Sequence, residues 1–271
     1  MNEKLKAILS KINSDPRFDP DTHDIVEAIK KRLQIELVEI YPGWKKEKFN
    51  IDCLFPFQEN DEDKSFMLNF LSLFERGDKD KKLSDKRATL LHIAAQNGYI
   101  KIIKALVIAH AKVNAKDNNG GTALHYAKNA EVVNTLIKRG ANVNAKDEDG
   151  RTPLYFAAIK GKREVIKALV IAHAKVNAKD NNGGTALHYA KNAEVVNTLI
   201  KRGANVNDKD NDGRTPLHFA ANIAVAKYLI KKKGDGVHAK DKDGRTPLHF
   251  AANAEIVEYL IEDEGADVNT R

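Results

Sequence analysis

Apolar and polar positions change their period along this chain, and from residue 86 onward the changes come at regular intervals. A polar turn such as DNNGG or DEDGR gives way to a T-x-L-[HY] word, a short Ala-rich stretch, and then a second apolar run such as AEVVNTLIKRG. The word recurs at Thr89, Thr122, Thr152, Thr185, Thr215 and Thr246, with spacings of 33, 30, 33, 30 and 31. Self-similarity at this period marks a repeat architecture. Each block predicts a turn, a short helix and a longer helix. Thr is a good N-cap, and Pro153, Pro216 and Pro247 stand at the first helical position, where no N–H donor is needed. Ala94, Ala95, Ala157, Ala158, Ala220, Ala221, Ala251 and Ala252 leave room for close helix approach. In the second run Val132, Val133, Leu136 and Ile137 form one apolar stripe. Lys138-Arg139-Gly140 ends it, with cations at the negative end of the helix dipole and a glycine able to adopt positive φ.

The interval from Gly140 to Thr152 is repeated from Gly203 to Thr215 and from Gly234 to Thr246. His110 and His173 stand at that same interval before Thr122 and Thr185, so histidine replaces glycine at those two helix ends. Histidine is among the residues enriched in the left-handed region, which makes the replacement tolerable. The turns therefore have constant length, and all variation lies between each Thr and its helix end. That interval is longest from Thr89 to His110 and from Thr152 to His173, and shorter in the other four blocks. Only the first and third blocks keep a full inter-helix turn.

The words GRTPLHFAA and RGANVNAKD resemble the ankyrin repeat, over residues 86–271. The resemblance implies an all-α solenoid of stacked helix–turn–helix units with projecting β-turn fingers, six repeats in all. It also implies a protein-binding face formed by the fingers and first helices on the concave side. Its contact positions fall on Asn118, Asn119, Glu148, Asp149, Arg151, Asn181, Asn182, Asn211, Asp212, Arg214, Lys242, Asp243 and Arg245. Gln96, Asn97, Ile159 and Lys160 at the first-helix ends add contacts in the two full-length repeats. Arg151, Arg214 and Arg245 stand out as long, forked donors suited to acidic side chains. The near-identical blocks also resemble ankyrin proteins of intracellular bacteria, which implies an effector delivered to a host cell.

Upstream, Gly77 lies before Thr89 at the constant interval of the later turns and ends SFMLNFLSLFERG. Residues 62–88 therefore read as a degenerate half-repeat that caps the array. Residues 1–61 do not follow the repeat. They predict a small helical region of their own, with Leu5, Ile8, Leu9 and Ile12 on one face. The six repeats then occupy residues 89–271. Residues 104–144 and 167–207 are identical, which points to duplication of a two-repeat unit.

Composition narrows the function. No apolar run approaches the ~18 residues that span a bilayer. The opening MNEKLKAILSKIN has no apolar core of the kind secretion signals carry. The one cysteine, Cys53, rules out an internal disulfide framework and fits a reducing, cytoplasmic setting. The formal charge of +7 is uneven: residues 86–245 carry 29 basic against 14 acidic side chains, or +15. That stretch makes nucleic-acid or anionic-surface binding the alternative reading. Aspartates interleave the finger lysines, however, and no aromatics interleave to stack bases. A third reading is self-association through the C-terminal end, where Ile256, Val257, Leu260 and Ile261 face inward and Glu255, Glu258 and Glu262 outward.

No catalytic or cofactor motif emerges. DKDNDG at 208–213 matches the opening of a calcium loop, but Phe219 stands where a bidentate Glu is needed. Of the nine histidines, His92, His125, His188, His218 and His249 belong to the T-x-L-H word, where the resemblance implies that they brace neighbouring backbones. No Cys, Asp or Glu is placed with them to make a metal site. The expectation is a non-enzymatic protein-interaction module with no metal and no cofactor.

Overall fold

The computed structural model describes residues 10, 11, 13, 14, 90–108, 111–233 and 235–270. Ser10, Lys11, Asn13 and Ser14 are helical; apart from them, the expectations for residues 1–61, for the half-repeat 62–88 and for Cys53, His110 and Gly234 lie outside the described residues. The chain divides into two compact units at the Asn142–Val143 boundary.

In the first unit, α1 (Leu90–Asn97) and α2 (Ile100–Ile108) form an antiparallel pair, followed by a 3-10 turn (Ala123–Tyr126) and α3 (Ala130–Lys138). α1 packs on α2 and on the 3-10 turn, and α2 packs beside α3. In α3 burial follows the predicted stripe at Val132, Val133 and Leu136, with Ile137 half-buried; in α2 Ile102, Ile103, Ala105 and Leu106 are buried. Asn13 Oδ1 accepts from the Lys101 amide at 3.1 Å and caps the start of α2.

The second unit holds α4 (Pro153–Ile159), α5 (Arg163–Ile171), α6 (Ala193–Lys201), α7 (Ile223–Lys233) and α8 (Ala254–Glu258). α4 packs on α5, and α5 through α8 stand side by side in chain order. 3-10 turns at Pro216–Phe219 and Pro247–Phe250 pack on each other in the inner layer. Of the four residues expected inward, Ile256 and Leu260 are buried and Val257 and Ile261 half-buried, with Glu255, Glu258 and Glu262 exposed, although the helix finishes in a π turn over Tyr259–Asp263. No strand occurs among the described residues.

The short blocks depart from the expected pattern. Their missing residues come out of the first helix as well as out of the inter-helix turn. α1 and α4 are full α-helices of 8 and 7 residues, but the Thr122, Thr215 and Thr246 blocks form only a 3-10 turn of 4 residues. In the Thr185 block the first helix is reduced to a hydrogen-bonded turn ahead of α6. Such a 3-10 turn advances about 8 Å, against about 12 Å for the full first helix. An asparagine then starts the second helix at once. Asn129, Asn192, Asn222 and Asn253 accept from the amides of Val132, Val195, Val225 and Ile256 at 2.8–3.0 Å. The alanine expectation is corrected accordingly. Ala94, Ala95, Ala157, Ala158 and Ala220 are buried. Ala221 and Ala252 are exposed and Ala251 half-buried, because the inner turn ends at Phe219 or Phe250 before reaching them.

The capping and terminating residues behave as expected. Thr152 Oγ1 accepts from the Tyr155 amide. In the 3-10 blocks the threonine closes a reciprocal box with the histidine of the same word. Gly140 and Gly203 adopt φ of 86° and 90°, and His173 adopts 65° in their place.

Candidate functional site

Each finger is built round one aspartate: Asp117, Asp147, Asp180, Asp210 or Asp241. One carboxylate oxygen of each accepts two backbone amides, two and four positions ahead, at 2.8–3.1 Å. An ionised carboxylate accepts from both amides on one oxygen and keeps its other oxygen for a third donor. What that third donor is divides the fingers into two kinds.

In three fingers it is an arginine. Arg151, Arg214 and Arg245 donate Nε to Asp147, Asp210 and Asp241 at 2.8–2.9 Å, and those carboxylates are almost wholly buried (1%, 1% and 0% exposed). Nη2 of each reaches a second, exposed aspartate at the fingertip: Asp149, Asp212 or Asp243. The guanidinium also lies over Phe156, Phe219 or Phe250, 4.9–5.2 Å from the ring centroid, a favourable cation–π geometry. Burial pushes the Asp241 carboxyl up, but the bonds from Arg245 and the Asp243 amide outweigh it and hold the group below the usual carboxylate range.

In the other two fingers glycine stands in the arginine's place and tyrosine in the phenylalanine's. The Tyr126 hydroxyl donates to Asp117 at 2.6 Å, and Tyr189 hydrogen-bonds Asp180. A Cβ added at Gly121 or Gly184 would lie 2.8 or 2.6 Å from the tyrosine oxygen, so a side chain and the tyrosine exclude each other. Burial, then the nearby Asp180 carboxylate, push the Tyr189 phenol well above its ordinary range. The fingertip in both is asparagine, Asn119 or Asn182. Among these five fingers, fingertip aspartate occurs only where an arginine pairs with it.

Successive fingers of the second unit are tied together. The Asn181 amide donates to Asp149 O, Asn211 to Asn182 O, and Lys242 to Asp212 O, at 2.8–2.9 Å. Asn181 and Asn211 add side-chain bonds to Glu148 O and Asn181 O. Lys146, Lys179 and Lys209 donate Nζ to the carbonyls of Lys179, Lys209 and Lys240. Lower down, Asn144 and Asn177 bridge each finger to the next helix end, as Asn114 does in the first unit.

Of the positions carried over from the ankyrin resemblance, then, the structure brings the fingertips of the second unit into one row but occupies many of their groups. Arg151, Arg214 and Arg245 hold their own fingers, and Asn181 and Asn211 hold the neighbours. Glu148, Asn182, Lys242 and the fingertip aspartates keep exposed side chains. Asn119 is exposed and Asn118 half-buried in the first unit. Gln96 is exposed, whereas Asn97 Nδ2 turns back to Ile93 O. Ile159 is half-buried and Lys160 exposed at the end of α4. The central aspartates, absent from the expected set, are the residues on which each of these fingers depends. Their sign in the arginine fingers is the D-x-D-G-R spacing.

The histidines join inner turns to fingers. Nδ1 of His125, His188, His218 and His249 accepts from its block's threonine amide at 2.9–3.1 Å. Nε2 of His92, His188 and His218 meets the carbonyl before the next threonine, at Gly121, Arg214 and Arg245. Desolvation by burial, opposed in part by those carbonyls, lowers the pKa of all three below the ordinary histidine value. The neutral, Nε2-protonated ring fits both bonds of His188 and His218. The calcium motif dissolves too, since Asp210 is filled by Arg214 and two amides. No helix among the described residues is long and apolar enough to cross a membrane.

No curated protein matches the chain. The family model described as ankyrin repeats (3 copies) matches residues 60–147, 128–210 and 191–271. Those matches cover most of the chain and take in its Thr-headed blocks, histidine braces and fingers: the protein belongs to the ankyrin repeat family.

Proposed function

We propose that the six T-x-L words head six ankyrin repeats, and that the chain is a non-catalytic module that binds a partner protein on its finger and first-helix face. Ankyrin repeats are in general protein–protein interaction modules. The observation that carries the reading here is the bonded row of fingertips. Backbone bonds from Asp149 through Asn182 and Asp212 to Lys242 fix the tips in register, so their exposed side chains meet a partner without first being ordered. The near-identical repeats further support a role as a bacterial effector in a host cell, with a host protein as partner.

The test keeps the fingers intact. Glu148→Lys, Asn182→Asp and Lys242→Glu change exposed tips outside the arginine–aspartate pairs. Affinity capture from nuclease-treated eukaryotic lysate at moderate salt compares this triple variant with the parent chain. A partner held by the parent and lost by the variant supports the fingertip face; a partner held equally by both overturns it. The anionic-partner reading has its own signature, a collapse of binding between about 50 and 200 mM salt.

A further inference from the structure

We infer that each copy of the duplicated segment carries a docking patch, on the edge where the second helices end, for an acidic peptide segment with an apolar side chain in it. The patch is Ile108, Lys112, Lys138 and Arg139 in the first unit, and Ile171, Lys175, Lys201 and Arg202 in the second.

The same local architecture assembles both. α2 and α3 pack side by side, as do α5 and α6. Ile108 and Lys138 are the last residues of the first pair, Ile171 and Lys201 of the second. Asn114 then clamps the segment that follows α2 to the end of α3. It donates to Gly140 O at 2.9 Å and accepts from the Asn142 amide at 2.8 Å, which brings the Lys112 segment to the Lys138-Arg139 helix end. Asn177 repeats the clamp on Gly203 O and the Asn205 amide, at 2.9 and 3.1 Å, and brings the Lys175 segment to Lys201-Arg202.

All six cations are exposed, and none has an ion-pair partner among the described residues. The helix dipole explains a cation in the last turn of α3 and α6. It does not explain the isoleucine beside them. Ile171 is 69% exposed, one of two large apolar side chains so open among the described residues, and Ile108 is half-buried. Three cations without an ion pair stand with an open isoleucine in the second patch and with a half-buried one in the first, and each set complements carboxylates flanking an apolar residue. A nucleic-acid backbone offers the charge but nothing for the isoleucine. The patches differ in one respect. Asn205 Nδ2 bonds Asp208 in the second, where the first has Ala145, so the second patch carries a nearby negative charge and binds more weakly.

This surface is separate from the finger face, and the proposal stands or falls without it. The test uses the full chain and a fluorescein-labelled synthetic peptide of Glu and Asp round a central Leu-Phe pair, read by anisotropy and stoichiometric titration. Two peptides bind per chain. The pair Lys138→Glu and Arg139→Glu removes the tighter site, and Lys201→Glu and Arg202→Glu the weaker. All four together abolish binding, and Ile171→Ser weakens the second site about fivefold. Reversal sets anions at the C-terminal ends of α3 and α6 and lowers the melting temperature slightly through the helix dipole; Gln replacements at the same positions avoid that repulsion and give the same stoichiometric readout. Unchanged stoichiometry in the fourfold variant overturns the proposal. So does equal binding of a peptide with Ser-Ser in place of Leu-Phe, or displacement of the peptide by duplex DNA at lower concentration. Either result makes the edge a general polyanion surface.

Discussion

The Tyr126 hydroxyl donates to Asp117 Oδ2 at 2.6 Å, and thereby does in its finger what an arginine guanidinium does in three others. The two arrangements are alternatives, because Gly121 leaves the space that the tyrosine oxygen occupies. Tyr126→Phe leaves the Asp117 carboxylate short of one donor and is expected to cost about 1–2 kcal/mol. Gly121→Arg alone clashes with the tyrosine. Added to Tyr126→Phe together with Asn119→Asp, it rebuilds the arginine finger and recovers most of the loss. Denaturant titration of the single and combined variants measures the coupling. Additive effects would show that the two residues do not share the aspartate.

Arg214→Glu sets a carboxylate against Asp210 and Asp212 and is expected to destabilise by about 2–4 kcal/mol, whereas Arg214→Lys keeps the charge and loses the fork and the ring stacking. Thermal melting orders the variants as parent, Lys, Glu. A glutamate variant as stable as the parent would free the arginine for a partner and restore it as a clean probe of binding.

His92, His188 and His218 are buried and neutral, with pKa values below the ordinary one. Between their folded pKa and about 6.5 the unfolded chain binds more protons, so stability rises with pH through that window. It is full above about pH 6.5 and is lost as the medium becomes more acid. Melting temperatures at pH 7.5, 6.0 and 5.0 should fall in that order, with a smaller fall for His218→Gln. Asp241, held low, contributes in a window below about pH 4, beneath the pH range of these melts. A melting temperature steady from pH 7.5 to 5.0 would exclude the histidine mechanism.

His173 holds φ of 65° with a side chain present. His173→Gly removes that strain and is expected to stabilise by about 0.5–1 kcal/mol after the glycine's greater unfolded-state entropy is deducted. Asn192→Ala removes the cap on α6 and costs about 1 kcal/mol, with Asn192→Asp close to the parent. Both are read by chemical denaturation, and a His173→Gly loss would show that the ring makes contacts worth more than the strain.

What the chain makes legible is what near neighbours in sequence decide: the threonine caps, Pro153, Pro216 and Pro247, the glycine helix ends, and His173 in a glycine's place. The collapse of the first helix in the short blocks is not legible from length, since either the turn or the helix can absorb the missing residues. Asn129, Asn192, Asn222 and Asn253 are its sign, because an N-cap there leaves no room for another helical turn. The arginines show a competition that residue type alone does not reveal. Residue type suggests an outward-facing donor, but the aspartates two and four positions earlier claim it first, and geometry decides between them.

The long and short repeats also meet in a particular way. Gly161, after α4, leaves room for Asn192, whose side-chain Nδ2 would lie 2.7 Å from any Cβ there, while the Oδ1 of the same asparagine caps α6. Gly98 likewise leaves room for Lys128 and Asn129. A gene segment holding one long and one short repeat carries both halves of that junction at once, whereas copying a long repeat alone would set a glycine against a neighbour without the asparagine. The brick of this array is therefore the pair: the identical stretches 104–144 and 167–207 lie two repeats apart, each carries the asparagine half of the junction, Asn129 or Asn192, and the glycine half, Gly98 or Gly161, stands shortly before the stretch in both places.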